Sequence, residues 1–242
     1  MDAIKTVALT KKYKGLTAVD ALDLTVKEGE LFSLLGVNGA GKSTTIKMLS
    51  CLTSPTSGDA FLGGKSIVGD AREVKAQIAV SPQESAVAVG LSVKENLSLM
   101  CGVHGLSKDE SAEKISELSA LLGLDSVLSK KAKALSGGYL RRLSIAMALI
   151  TSPRILFLDE PTLGLDVIAR SELWDTIRSL KGKITVILTT HYMEEAEALS
   201  DRIGIMKEGK LLICATAAKI KETAHTDKFE DAFIRIVKGE VQ

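Results

Sequence analysis

The chain has 242 residues, of which 45% are apolar and 25% charged, and its formal net charge is +1. That apolar content can build a sizeable core for one large domain, which excludes a disordered chain. The near-neutral balance excludes a global basic field of the kind that holds a nucleic-acid backbone, so no nucleic-acid partner is expected and any anion site must be local.

Residues 3–9 and 19–26 alternate as strands do, and the polar turn KEGE at 27–30 leads into the apolar run LFSLLG, a short buried strand. After a glycine-rich turn, KSTTIKMLSCL predicts a helix with Ile46, Leu49 and Leu52 on one side, ended near Ser54 by Pro55. SPTSGDAFLGGKSI reads as turns around a short strand, and IAVSP at 78–82 as a strand stopped by Pro82. From about Ser92 to Leu149 helical periodicity dominates, first in SVKENLSLMCGV and then in SKDESAEKISELSALLGL, where Ser107 is a plausible N-cap with Glu110 three positions on. Beyond Pro153 the two periodicities alternate: RILFLDE, a helix at 167–180, KITVILTT, the helix MEEAEALS, and the strands RIGIMKEG and KLLICA. The last residues, which include KFEDAFIRIVKG, predict one more amphipathic helix.

Strands separated by helices predict an α/β fold with a largely parallel sheet. The expected organisation is a single domain over 1–242: a core lobe from 1–90 and 151–215, a helical subdomain at 91–150 inserted into it, and a helical tail at 216–242. Cys51, Cys101 and Cys214 lie far apart without metal-ligand spacing, which suits a reducing compartment. No run of 18 apolar residues occurs and the N-terminus turns charged early, so neither a membrane span nor a secretory leader is expected.

GVNGAGKST, Gly36 to Thr44, fits the pattern G-x-x-x-x-G-K-[ST] and sits between a predicted strand and a predicted helix, as a phosphate-binding loop requires. Its glycines let successive N–H groups and the helix start converge on phosphates, while Lys42 can bridge the terminal ones and Ser43 can ligate magnesium. Thr44 is assigned to phosphate contact and Thr45 to helix packing. At the end of RILFLDE, Asp159 and Glu160 stand where open α/β sheets present ligand-facing groups. Neighbouring carboxylates point to different sides, so Asp159 can serve magnesium while Glu160 aims at the water that attacks the γ-phosphate. Three further residues carry two readings each. His191, after TVILTT, is either a structural hydrogen-bonder or a group that holds a phosphate oxygen. Gln83 is either a turn residue after Pro82 or a contact to magnesium or the attacking water. Tyr13 is either a surface aromatic or a stacking platform for a base. His104 and His225 lie on helical or polar stretches and receive no functional assignment.

GVNGAGKST, Gln83, LSGG, ILFLDE, the GLD of Gly164 to Asp166 and His191, in this order, resemble the nucleotide-binding ATPase domain of ATP-binding-cassette (ABC) transporters. The resemblance runs from Tyr13 to at least the KEGK of 207–210, and MEEAEALSDRIGIMKEGK with the tail resembles the ABC-2-like exporter branch. It implies a P-loop NTPase with a RecA-like core, an N-terminal antiparallel β subdomain and an inserted α-helical subdomain. It also implies ATP and Mg2+ as ligands and a head-to-tail pairing with a second nucleotide-binding subunit, a homodimer or a paralogue. Each ATP then lies between the phosphate loop of one subunit and the LSGG of the other.

Under that resemblance the nucleotide is bound by Tyr13, Gly36, Asn38, Gly39, Ala40, Gly41, Lys42, Ser43 and Thr44, with Ser136, Gly137, Gly138 and Asp166 acting across the interface. Magnesium falls to Ser43, Gln83 and Asp159, the general base to Glu160, the switch role to His191, and coupling to Gln83. Residues 84–91 form part of the groove for a short helix of a separate membrane permease, which would hold the chain at the cytoplasmic side of the cell membrane. A GTPase would want a guanine-reading N-K-x-D, which is absent, and a small-molecule phosphotransferase would not need LSGG. An ABC ATPase with a non-transport or regulatory role is the alternative.

LSGGYLRR departs from the family's commonest pattern, which has glutamine at the position of Tyr139. Ser136 to Gly138 remain as the groups able to offer a hydroxyl and close N–H donors. For Arg141 and Arg142 the expectation is helix-surface solvation or acidic pairing for at least one, with electrostatic support of the phosphate site as a further option.

Overall fold

The computed structural model describes residues 1–84 and 86–241. Ser85, inside the segment expected to meet a membrane partner, and Gln242, at the end of the tail, lie outside the described residues. The chain begins with an antiparallel hairpin, β1 (Asp2–Tyr13) and β2 (Leu16–Leu22), followed by the short β3 (Thr25–Lys27). The first central strand, β4 (Leu31–Leu35), runs straight into the phosphate loop and α1 (Lys42–Leu49). Next come β5 (Ser57–Leu62), β6 (Lys65–Ser66), α2 (Ala71–Gln77) and β7 (Ile78–Ser81). Helices α3 (Val93–Val103), α4 (Lys108–Leu121) and α5 (Gly137–Leu149) are inserted before β8 (Ile155–Asp159). Alternation then resumes with α6 (Val167–Leu180), β9 (Thr185–Thr190), α7 (Met193–Leu199), β10 (Arg202–Lys207) and β11 (Lys210–Ala215), and the tail forms α8 (Ala217–Thr223) and α9 (Phe229–Lys238).

Two sheets result. The N-terminal sheet has the order β2-β1-β5-β6, with β3 also on β1, and its pairings are antiparallel. The second has six strands in the order β11-β10-β4-β9-β8-β7, parallel except for the β10–β11 pair at its edge. Its central strands are covered on both faces, which explains why β4 and β9 read as unbroken apolar or small runs and are buried along their whole length. The pleat divides them between two cores. Leu156, Leu158, Val186 and Leu188 pack with α3–α6 on one face, while Ile155, Phe157 and Ile187 pack with α1 and the N-terminal sheet on the other. A third cluster, with Leu35, Ile203, Phe229 and Phe233, fastens the tail to the parallel sheet. This is the expected RecA-like arrangement with an N-terminal β subdomain and an inserted helical subdomain.

The capping box at Ser107 and Glu110 is formed, and a second one joins Ser92 and Glu95 at the start of α3. Two local expectations are corrected. The first helix stops at Leu49, because Cys51 turns the chain at φ 54°, before Pro55 is reached. Leu52 is consequently 69% exposed and takes no part in the buried face with Ile46 and Leu49. The tail holds two helices instead of one, and the extra α8 is capped by the Thr216 hydroxyl. With seven residues, as in α2, it is too short for periodicity to reveal it.

Candidate functional site

β4 delivers the chain into the loop Gly36–Thr44 at the C-terminal ends of the parallel strands, and α1 starts at Lys42. The loop is closed from both termini of the chain. A Cβ on Gly36 would lie 2.5 Å from the Met206 carbonyl oxygen, and one on Gly41 would lie 2.5 Å from that of Ala18. Gly41 also has φ 104°, so it needs glycine for conformation as well as for space. The Thr45 hydroxyl bonds back to the Gly41 carbonyl at 3.0 Å and is buried, which fits helix packing.

Lys42 is buried, and its Nζ donates to the carbonyls of Gly36 at 2.7 Å and Val37 at 3.2 Å, 4.0 Å from Glu160 Oε1. Burial holds its pKa below the usual lysine value, with Glu160 and Asp159 opposing that shift. Ser43 Oγ lies 3.4 Å from Asp159 Oδ1, and the Thr189 hydroxyl donates to that same carboxylate oxygen. A hydroxyl and a carboxylate oxygen this close form a hard oxygen pair that fits a magnesium ion sharing phosphate oxygens.

Glu160 takes a left-handed backbone at φ 47°, and its N–H donates to the carbonyl of Thr189 at 3.1 Å. Its Oε2 stands 3.1 Å from Nδ1 of His191, within ion-pair distance but outside hydrogen-bond alignment. The two carboxylates diverge, one toward Ser43 and one toward Lys42 and His191. Lys42, Ser43, Glu160 and His191 line a cleft of about 720 Å³ that also takes in Tyr13, Asn38–Gly41, Thr44 and Gln83, and Asp159 meets it through its contact with Ser43. Tyr13 is 47% exposed at its rim, and Gln83 is exposed.

Ser136, Gly137, Gly138 and Asp166 do not line this cleft. They sit at the starts of α5 and α6. Ser136 is exposed at the N-cap of α5 without using its side chain to cap, and Gly138 packs against Ala169, where an added Cβ would approach to 3.1 Å. Asp166 caps α6 by accepting from the Ala169 N–H at 2.9 Å. Ser136 and Gly137 are thus exposed apart from the chain's own phosphate loop, while Gly138 is buried beneath them.

A family model described as ABC transporter matches residues 19–163, more than half of the chain. The chain belongs to the ABC transporter family. This ABC cassette is an ATPase. It is 41% identical over 91% of its length to the daunorubicin/doxorubicin resistance ATP-binding protein DrrA of Streptomyces peucetius, of which it spans 67%. It is 40% identical over 97% of its length to YbhF of Escherichia coli, a probable multidrug ABC transporter ATP-binding protein, of which it spans 41%. A solved ATP-binding subunit of an ABC transporter superposes with TM-score 0.84 at 26% identity, covering 97% of this chain and 99% of the other. A dimeric ATP-binding cassette solved with ADP and Pi in a post-hydrolysis state gives TM-score 0.77 at 27% identity, covering 88% and 98%.

Thr189 was not singled out by the sequence, and Arg141 was read there without its main-chain contacts. Thr189 binds the Asp159 carboxylate, and its hydroxyl lies 3.2 Å from the Glu160 N–H. Arg141 is only 6% exposed and donates to main-chain carbonyls, so it is neither a solvated helix residue nor paired with an acid through hydrogen bonds. Arg142 does pair with an acid, Glu172, at 2.5 Å, and its guanidinium lies over the ring of Tyr139 at 5.4 Å. A charge on a buried helix face was the available signal for Arg141: Gly138, Arg141, Ile145 and Leu149 follow one another at helical spacing and are all buried.

Proposed function

We propose that this cassette hydrolyses ATP between two head-to-tail subunits and thereby drives export through a separate membrane-spanning subunit. One observation carries the reading: Lys42, Ser43, Glu160 and His191 line one cleft, with Asp159 held 3.4 Å from Ser43, while Ser136 and Gly137 lie exposed at the start of α5, outside that cleft. Each half needs the other, and a second subunit supplies it. The export direction rests on the resistance and multidrug descriptions of the relatives. Among the described residues no helix is long and apolar enough to cross a membrane; in this reading a separate membrane subunit supplies the translocation path. The segment 86–91, with Val89 59% exposed, offers that partner an apolar contact.

Tyr13 stacks on adenine, the loop Gly36–Thr44 holds the phosphates through its N–H groups, and Lys42 bridges the terminal ones. Magnesium, held by Ser43, Asp159 and Gln83, would neutralise charge on the phosphate oxygens. Glu160 accepts a hydrogen bond from the attacking water and takes its proton, so no protein-bound covalent intermediate is needed. His191 fixes the γ-phosphate geometry beside it, and Asp166 crosses to the partner subunit. Phosphate departure then removes attraction between the two shells of donors and lets them part.

A Glu160→Gln variant tests both the base and the dimer. Light scattering with ATP and magnesium should show a stable dimer that does not hydrolyse. Hydrolysis at the wild-type rate would remove Glu160 from its role, and a persistent monomer at high concentration would count against the shared site.

A further inference from the structure

We propose that Arg141 is a positioning residue for ATP hydrolysis, holding Glu160 and the Gln83 loop in working geometry from the helix that begins with Ser136–Gly138. The inference rests on the reading of Glu160 as the base and deepens it.

Arginine carries five N–H donors in a fixed fork, and here each finds its own main-chain carbonyl. Nε donates to Pro161 at 2.8 Å, one terminal nitrogen to Pro82 at 2.5 Å and Gln83 at 3.2 Å, and the other to Asp159 at 2.7 Å and Glu160 at 2.8 Å. Such complete use of the guanidinium joins the end of β8 to the loop after β7. Three successive carbonyls, of Asp159, Glu160 and Pro161, converge on this one group. In an extended strand neighbouring carbonyls point to opposite sides, so convergence requires the chain to leave the strand. It does so at Glu160, whose φ of 47° is a sparsely populated conformation for a residue with a side chain. Arg141 on one side and Thr189 on the other fix that backbone, and the backbone sets the direction of the Glu160 carboxylate toward His191 and Lys42.

Arg141 lies one helical turn beyond Gly137, on a helix whose start is packed against Leu165 and Ala169. A shift of the first turn of α5 therefore moves the fork, and with it the carbonyls of Glu160 and Gln83. Contact of Ser136–Gly138 with a nucleotide held by the second subunit is in this way felt at the chain's own base. Lysine cannot substitute, because a single ammonium with three donors cannot meet five carbonyls in two segments.

The test measures ATPase turnover, affinity for a fluorescent ATP analogue and thermal unfolding on the full chain. Arg141→Lys should remain folded and bind the analogue within about threefold of the wild type while kcat falls about 100-fold, the scale of an ångström of misplacement. Arg141→Gly should lose as much, and low-millimolar guanidinium, unlike equal urea or sodium chloride, should restore at least about tenfold by refilling the fork's position. If Arg141→Gly fails to fold, the split between kcat and affinity in Arg141→Lys decides alone. Wild-type kcat in Arg141→Lys, or a fall in kcat matched by an equal loss of binding, would overturn the inference. An inactive Glu160→Gln beside a fully active Arg141→Lys would sink the positioning role and leave the site reading intact. A fully active Glu160→Gln would remove both.

Discussion

Replacing Thr189 with valine is the sharpest perturbation of the carboxylate pair, because it keeps the shape of a fully buried side chain and removes only its hydroxyl. That hydroxyl donates to Asp159 Oδ1 and lies 3.2 Å from the Glu160 N–H. A hydrogen bond to an ionised carboxylate is worth about 1.5 to 3 kcal/mol net, and the unfolded chain does not make this one. The Glu160 N–H keeps its second acceptor, the Thr189 carbonyl at 3.1 Å, so only the Asp159 side pays the full loss. Stability should therefore fall by about 2 kcal/mol, which for a chain of this size lowers Tm by about 4 to 8 °C. Asp159 is then left with Ser43 at 3.4 Å and is free to rotate away from it. The magnesium concentration for half-maximal ATPase should rise about tenfold, the equivalent of about 1.4 kcal/mol. Calorimetry and a magnesium titration of turnover read the two effects, and Thr189→Ser should restore both. Unchanged melting together with an unchanged magnesium midpoint in Thr189→Val would refute the role assigned to this hydroxyl.

Gly41→Ala combines a positive φ with a backbone oxygen 2.5 Å from the new Cβ, and should cost about 3 kcal/mol in urea unfolding and abolish nucleotide binding. Gly64→Ala, at φ 79° with nothing within 4 Å, is the matched control and should cost about 1 kcal/mol without affecting binding. Tyr139→Gln should keep kcat/KM within about tenfold, since the ring packs against the helical core beneath Arg142 and lies outside the phosphate cleft; a larger loss in steady-state assays would make it a nucleotide contact. At Glu95, hydrogen bonds from the Ser92 backbone and side chain and from Lys131 hold the carboxyl at about 2, below its ordinary 4.5. A depressed folded value means stability that is present above pH 4.5 and lost as pH falls toward about 2, so Glu95→Gln should flatten that limb of a urea-midpoint against pH curve.

The phosphate loop was legible because everything it needs is local: a buried strand, glycines and a helix start within fifteen or so residues. Asp159 and Glu160 were legible because the apolar run before them marks where a parallel strand ends. Arg141 was not, since its carbonyl partners lie between 18 and 59 residues away and a charged helix residue is ordinarily read as solvated. Thr189 escaped for a similar reason: TVILTT is uniformly buried, and nothing in that run distinguishes the threonine that faces a carboxylate. Leu52 was misplaced because the reversal at Cys51 uses a non-glycine residue with positive φ, a choice that no neighbouring residue announces.

The position of β4 between β9 and β10 bears on how the chain reaches its native state. Residues 31–35 pair with 186–190 on one side and residues 32–35 with 202–205 on the other, and Leu31 N–H donates to the Asp201 carboxylate 170 positions away. The strand that carries the phosphate loop is thus made early and closed late. Until most of the sequence has left the ribosome, a largely apolar strand waits with both edges unpaired, the kind of long-range pairing that folds slowly and exposes aggregation-prone edges. Chains cut before Lys207 should therefore collect as insoluble material, and chaperone dependence during synthesis should end only when β10 is available to close over β4.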